Sequence, residues 1–102
     1  MFQRMRSFLP IDIPGEDMAA MSGIEVCLEQ ESSGQEFVYS GDSVTAAGSR
    51  VVVEIPKADA DRLDYGEACC QVMFTRPTGV PDATEKVKFK VYELLKDGGY
   101  GE

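Results

Sequence analysis

The chain has 102 residues, of which 43% are hydrophobic and 27% are charged, close to the usual proportions of globular proteins. This length supports one hydrophobic core, so we predict a single domain over residues 1–102, with flexible ends at about 1–6 and 97–102. Eighteen acidic against ten basic residues give a net charge of −8, which opposes binding to nucleic acid. Because the chain has no histidine, histidine-based catalysis and histidine metal ligands are excluded.

The first half of the chain alternates apolar and polar residues, the pattern of half-buried antiparallel strands. The alternation begins at residues 8–13, where Pro10 restricts the strand to a sheet edge. After a linker or short turn at 18–22, a second strand places alternate residues of 24–28 inward, and turn residues connect it to a third strand at 35–40 as in a hairpin. A short strand near 44–45 and another at 50–55 follow.

The second half changes character at Pro56, which cannot continue a strand ladder. Residues 58–63 favour one or two helical turns, residues 67–75 alternate again, and the prolines and glycine of residues 76–82 predict a loop. A last strand at 84–92 is predicted to point its apolar residues inward (Val87, Phe89, Val91) and its lysines outward (Lys86, Lys88, Lys90).

Six or seven short strands with turn signals every 8–12 residues or so are typical of a small β-sandwich. We therefore predict an all-β fold, a small immunoglobulin-like antiparallel β-sandwich of six or seven strands with one short helical turn near 58–63. The inward residues are numerous enough to fill the layer between two sheets without a cofactor, and we predict none.

Three acidic residues near the helical turn are the candidate metal ligands. Asp59, Asp61 and Asp64 resemble the start of a calcium loop, since alternating carboxylates can converge on one hard cation. The rest of the EF-hand pattern does not fit, because Leu63 stands where a third ligand is needed. Acids at the start of a solvated helical turn are the better explanation.

The three cysteines are expected to be reduced, because they are odd in number and two are adjacent. Cys70 falls with the inward residues and is expected to pack as a small core side chain. Cys27 and Cys69 would lie on an outer face beside Val38 and Met73, and these four residues are the candidate interaction surface. Burial against another subunit and simple partial exposure are both open explanations for the outer cysteines.

Targeting signals are not evident in the sequence. No apolar stretch approaches the ~20 residues that a membrane-spanning helix needs, and the N-terminal residues lack the apolar core of a secretory signal. We therefore expect an intracellular site of synthesis and no membrane partner.

The order of segments resembles a known group of proteins. Four segments carry the resemblance: the strand Gly23-Ile24-Glu25-Val26-Cys27-Leu28-Glu29-Gln30, the strand Arg50-Val51-Val52-Val53-Glu54-Ile55-Pro56, the acidic turn that follows it, and the ending Leu94-Leu95-Lys96-Asp97-Gly98. This layout is similar to short proteins encoded among the tail and structural genes of phages and prophages in gut Firmicutes. It is also similar to the N-terminal β-sandwich domain of phage baseplate upper proteins.

The resemblance implies a non-enzymatic structural or adaptor protein of a prophage tail or baseplate. Its expected partners are other phage structural proteins or a second copy of itself, and its expected location is the bacterial cytoplasm on synthesis and then the virion. The alternative is a small ligand-binding module, with carbohydrate or calcium held by loops at one end of the sandwich. Tyr39, Tyr65 and Tyr92 are the candidate stacking surfaces for a sugar.

Overall fold

A computed structural model describes residues 6–91 as two antiparallel sheets. The described part of the chain contains eight strands: β1 (Ser7–Asp12), β2 (Ser22–Gln30), β3 (Gln35–Tyr39), β4 (Val44–Ala47), β5 (Arg50–Ile55), β6 (Gly66–Thr75), β7 (Pro81–Ala83) and β8 (Val87–Val91). One α-helical turn, α1 (Lys57–Ala60), and two 3-10 turns, Met18–Ala20 and Gly41–Ser43, connect them. Apart from Arg6, the ends predicted to be flexible lie outside the described residues.

The two sheets have the strand order of an immunoglobulin-like sandwich. One sheet has the order β1-β5-β4, and the other has the order β3-β2-β6-β7, with β8 also paired to β6. These orders correspond to immunoglobulin strands B-E-D and C′-C-F-G, with β7 and β8 together in the place of G. No strand of residues 6–91 takes the place of strand A. The predicted fold class is therefore confirmed.

The inward residues predicted from the alternation fill the space between the sheets. Their side chains form one cluster in which the central residues of β2, β5 and β6 have almost no exposed surface (Val26, Leu28, Val51, Val53, Ile55, Val72). Hydrophobic burial on this scale is the main favourable term in folding such a domain. The predicted edge position of β1, inferred from Pro10, is also confirmed.

The structure differs from the prediction along the last edge of the larger sheet. Residues 76–82, predicted as a loop, form a tight turn that places the short strand β7 beside Met73–Thr75. The edge then passes to β8 through Thr84, which exchanges hydrogen bonds with the backbone of Val72. Val87 was predicted to point inward, but it is 39% exposed. It lies opposite the buried Cys70 in register and so faces the inner side as predicted, on a strand at the edge of the sheet.

The predicted helical turn is present and begins slightly earlier than expected. The α-helical hydrogen bonds cover Lys57–Ala60, and i to i+3 bonds continue the turn as far as Leu63. Ala60 and Leu63 are buried, so the turn closes one end of the sandwich between β5 and β6.

An arginine links the β1–β2 loop to the β6–β7 turn at the opposite side of the fold. The guanidinium of Arg76 donates two hydrogen bonds to Glu16 (both 2.9 Å) and two to Asp82 (2.8 and 3.0 Å). It also lies over the ring of Phe74, 5.5 Å from the centroid. The hydrogen bonds from Arg76 lower the pKa of Glu16. The pKa of Asp82 is lowered most by the hydrogen bond from the backbone N–H of Ala83, and further by the hydrogen bonds from Arg76.

This cluster predicts a pH-dependent contribution to stability. A carboxyl group with a lowered pKa in the folded state stabilises the fold above its unfolded pKa of roughly 4, and this contribution is lost as the pH falls. We expect Arg76→Met to lower the melting temperature at neutral pH. The difference in melting temperature from the wild type should become smaller as the pH falls from about 5 to about 3. Thermal unfolding followed by circular dichroism across this pH range measures the effect.

Arg50→Met is the matched control for the acid experiment. Arg50 pairs with Asp12 at 2.7 Å between two mostly exposed side chains, so its loss should change stability less. If the difference in melting temperature between Arg76→Met and the wild type stays constant with pH, the two carboxylates contribute nothing to stability through this arginine.

Candidate functional site

The four residues of the predicted interaction surface lie together on one side of the larger sheet. We call this side, which points away from the three-stranded sheet, the outer face. Cys27 on β2 lies opposite Val38 on β3 and opposite Gln71 on β6. Cys69 and Met73 lie two positions to either side of Gln71 on the same strand, so their side chains share its face. The fold thus brings all four residues into adjoining positions.

The exposure of these residues follows the alternation of the strands. Val38 is 58% exposed, whereas Cys27, Cys69 and Met73 are half-buried. Cys70 points to the other side and is 2% exposed, which confirms its predicted place in the core. All three thiols are free, as predicted.

Cys69 is partly covered by an ion pair of its own chain. Lys86 Nζ donates to Glu29 Oε1 at 2.7 Å, and the Cys69 thiol donates to the same carboxylate oxygen at 3.4 Å. Since Glu29 lies directly opposite Cys69 in register, the lysine side chain reaches across β6 to meet it. The half-buried state of Cys69 is therefore explained without a second subunit, which supports the simpler of the two alternatives for this residue.

The electrostatic environment keeps the thiols protonated at neutral pH. Burial, and then the charge of nearby glutamates, raises the pKa of Cys27. Burial and the hydrogen bond to Glu29 raise the pKa of Cys69, and burial raises the pKa of Cys70 to about 11. Because the thiolate is the nucleophilic form, these three cysteines are poorly suited to nucleophilic chemistry.

Charges of opposite sign occupy the two sides of the outer face. Glutamates lie on β2 and β3, beside Cys27 and Val38, and lysines lie on and beside β8, with Cys69 and Met73 on β6 between the two groups. Within residues 6–91, Glu25 and Glu36 have no ion-pair partner, whereas Lys86 pairs with Glu29 and Lys88 pairs with Glu67. A depression of about 630 Å³ lies between the β2–β3 turn and these lysines, and most of the residues that line it have charged or amide side chains.

Two of the three candidate calcium ligands have other side-chain partners. The O–H of Tyr39 donates to Asp59 at 2.9 Å, and Lys57 pairs with Asp61 at 3.2 Å. Burial and this acceptor raise the pKa of Tyr39 above its usual range. Nowhere in residues 6–91 do three acidic, histidine or cysteine side chains converge in a way that could hold a metal ion. The three aspartates, although closely spaced in the sequence, therefore do not form a set of metal ligands.

The tyrosines considered as sugar-stacking surfaces are not brought together by the described structure. Tyr39 is buried, and its hydroxyl is engaged by the carboxylate of Asp59. Tyr65 is 63% exposed in the loop before β6, and Tyr92 lies outside the described residues. Only one of the three therefore presents an open ring in the described part of the chain.

A buried glutamine that was not predicted from the sequence as a site residue fixes the end of the fold at which the helical turn α1 lies. Gln30, the last residue of β2, is 1% exposed. Its side-chain amide donates to the carbonyl oxygen of Asp64 and accepts from the N–H of Asp64, both at 2.8 Å. The alternation did place Gln30 on the inward side, where a buried amide requires partners, and that was the available signal.

Comparison with known proteins does not assign the chain to a family. Its sequence matches no protein-family model and no curated protein, and its fold matches no solved structure significantly. No helix in residues 6–91 has the length and apolar character needed to cross a membrane.

Proposed function

We propose that this protein is a non-enzymatic structural or adaptor protein that acts through protein–protein contacts on the outer face. The observation that carries the proposal is the grouping of Cys27, Val38, Cys69 and Met73 on one face, where no element of residues 6–91 covers them. An uncovered patch that contains apolar side chains and is bordered by charges is typical of a surface that meets another protein.

The proposed setting is a prophage tail or baseplate, with other phage structural proteins as partners. Support for this setting comes from the order of segments in the sequence, which resembles that of short phage tail and structural proteins. A small sandwich whose core is filled by its own side chains fits a structural part of an assembly. The chain would be made in the bacterial cytoplasm and then incorporated into the virion.

A substitution at the centre of the outer face tests the proposal. We expect Met73→Lys to reduce the amount of tagged chain that sediments with purified tail particles by about 5-fold or more, since the residues whose loss costs more than ~1 kcal/mol of binding cluster near the centre of an interface. The measurement is quantitative mass spectrometry of particles produced by the prophage-bearing strain. Melting temperatures of both purified chains establish that the variant is folded.

Thr45→Lys is the matched control for this experiment. It introduces the same charge at an exposed position on β4, in the other sheet. We expect this variant to enter the particles as the wild type does. Absence of the wild-type chain from the particles would overturn the phage assignment, and equal incorporation of both variants would overturn the role of the outer face.

A further inference from the structure

The open edges of the two sheets differ in how they are protected against pairing with another strand. In the three-stranded sheet, β1 contains Pro10 and β4 has only four residues. In the five-stranded sheet, one edge is shared by the short β7, which begins with Pro81, and by β8, which carries outward lysines. Prolines, short length and lysines are the usual features that prevent edge-to-edge association.

The remaining edge strand, β3, has none of these features. Its five residues contain no proline and no lysine, and they pair with β2 in an uninterrupted register. Among residues 6–91, β2 is the only strand that pairs with β3, so the backbone groups along its other edge can accept a further strand. Glu36 is its single charged side chain.

The sequence of β3 allows it to pair with a second copy of itself about its central residue. In an antiparallel pair, side chains that lie opposite each other point to the same face of the sheet. When two copies of β3 pair, the inner residues of one copy therefore lie opposite the inner residues of the other only if the two-fold axis passes through a residue position, and not between two residues. An axis through Phe37 pairs all five residues of the strand. It places Glu36 opposite Val38 of the second copy, whereas an axis through Glu36 would bring two like charges together.

The inner side chains also favour the axis through Phe37. Phe37 is half-buried at the margin of the core, and its ring centroid lies 6.2 Å from that of Tyr39. In the paired state the two copies of Phe37 would lie opposite each other, with Cβ atoms about 4.5–5.5 Å apart. This contact would bury ring surface that a single chain leaves exposed.

We propose that a second copy of this chain pairs with the first along β3, antiparallel and with the two-fold axis at Phe37. The two five-stranded sheets then form one ten-stranded sheet. The outer faces of the two copies lie side by side, and both remain open to other proteins. This pairing uses the edge of β3 and does not require the outer face to be a contact surface.

Opposite charge changes at Val38 test the register. Val38→Glu places a glutamate opposite Glu36 twice in the dimer, and Val38→Lys places a lysine there. We expect the dimer dissociation constant to rise about 2- to 30-fold for the glutamate variant and to fall by a similar factor for the lysine variant. Sedimentation equilibrium of the purified chain over a concentration series measures both, and circular dichroism checks that each variant is folded.

A charge exchange separates local pairing from a change in net charge. Glu36→Lys with Val38→Glu restores opposite charges across the pair, and Glu36→Lys with Thr45→Glu has the same net charge without the new pair. We expect the first double variant to dimerise more tightly than the second, because the two have the same net charge and only the first has opposite charges across the pair. Amide hydrogen exchange should show added protection in β3 as the concentration rises.

A wild-type chain that stays monomeric at millimolar concentration would overturn the proposal. Equal weakening by glutamate and lysine at residue 38, or protection confined to β6, would do so as well, because both results indicate contact through the outer face. Since these measurements use the purified chain alone, their outcome is independent of incorporation into phage particles.

Discussion

Replacing Met18 by alanine is expected to destabilise the fold by about 2–5 kcal/mol, the usual cost of truncating a buried long side chain to alanine. Met18 lies in the 3-10 turn between β1 and β2 and has no exposed surface. Its backbone N–H donates to the carbonyl oxygen of Gly48 at 2.7 Å, which holds the turn against the β4–β5 hairpin. The position is therefore fixed by the backbone, so we expect only partial collapse of the cavity. Urea unfolding measures the loss.

Met21→Ala is the matched control for this prediction. Met21 belongs to the same connection and packs against the core while only partly buried, so its truncation should cost clearly less. Equal losses for the two variants would show that Met18 is not a core residue in solution.

Replacing Gln30 by leucine is expected to cost about 1–3 kcal/mol, because the N–H and the carbonyl of Asp64 both lose their partner. Leucine fills a similar volume, so the loss reports the two hydrogen bonds more than a cavity. The loop before β6 should also become more sensitive to proteolysis, since Gln30 is its link to β2. Urea unfolding and limited proteolysis measure the two effects.

Gln35→Leu is the control for Gln30→Leu. Gln35 lies directly opposite Gln30 in register on β3, is half-buried, and uses its side chain in none of the hydrogen bonds of the described residues. We expect this variant to change stability by less than about 0.5 kcal/mol at low protein concentration. A similar loss in both variants would show that the contacts with Asp64 contribute little to stability.

The alternation of residues was sufficient to predict most of the fold. Seven of the eight strands in the described chain were expected, and the inward positions of β1, β5 and β6 are buried as predicted. The exception is β7, because Pro77, Gly79 and Pro81 are residues typical of a loop. A proline is compatible with an edge strand, and the pairing of β7 with β6 is set by a turn between Arg76 and Val80.

The candidate surface was predicted as a set of outward residues, but the contacts around it were not. The period of two places Cys27, Cys69 and Met73 on one side of their strands. Lys86 reaches across β6 to Glu29, above the thiol of Cys69. This contact depends on the register of three strands. An alternating pattern limits the register between two strands only to steps of two residues, and it does not say which distant segments pair.

The sequence by itself determined the fold class, the inward and outward sides of most strands and the edge position of β1, because each depends on the chemistry of neighbouring residues. Only the tertiary structure decided that Met18 is a core residue, that Gln30 has partners and that three aspartates do not converge. These properties depend on groups from distant segments that meet in space, and the strand order that brings them together is a property of the folded chain.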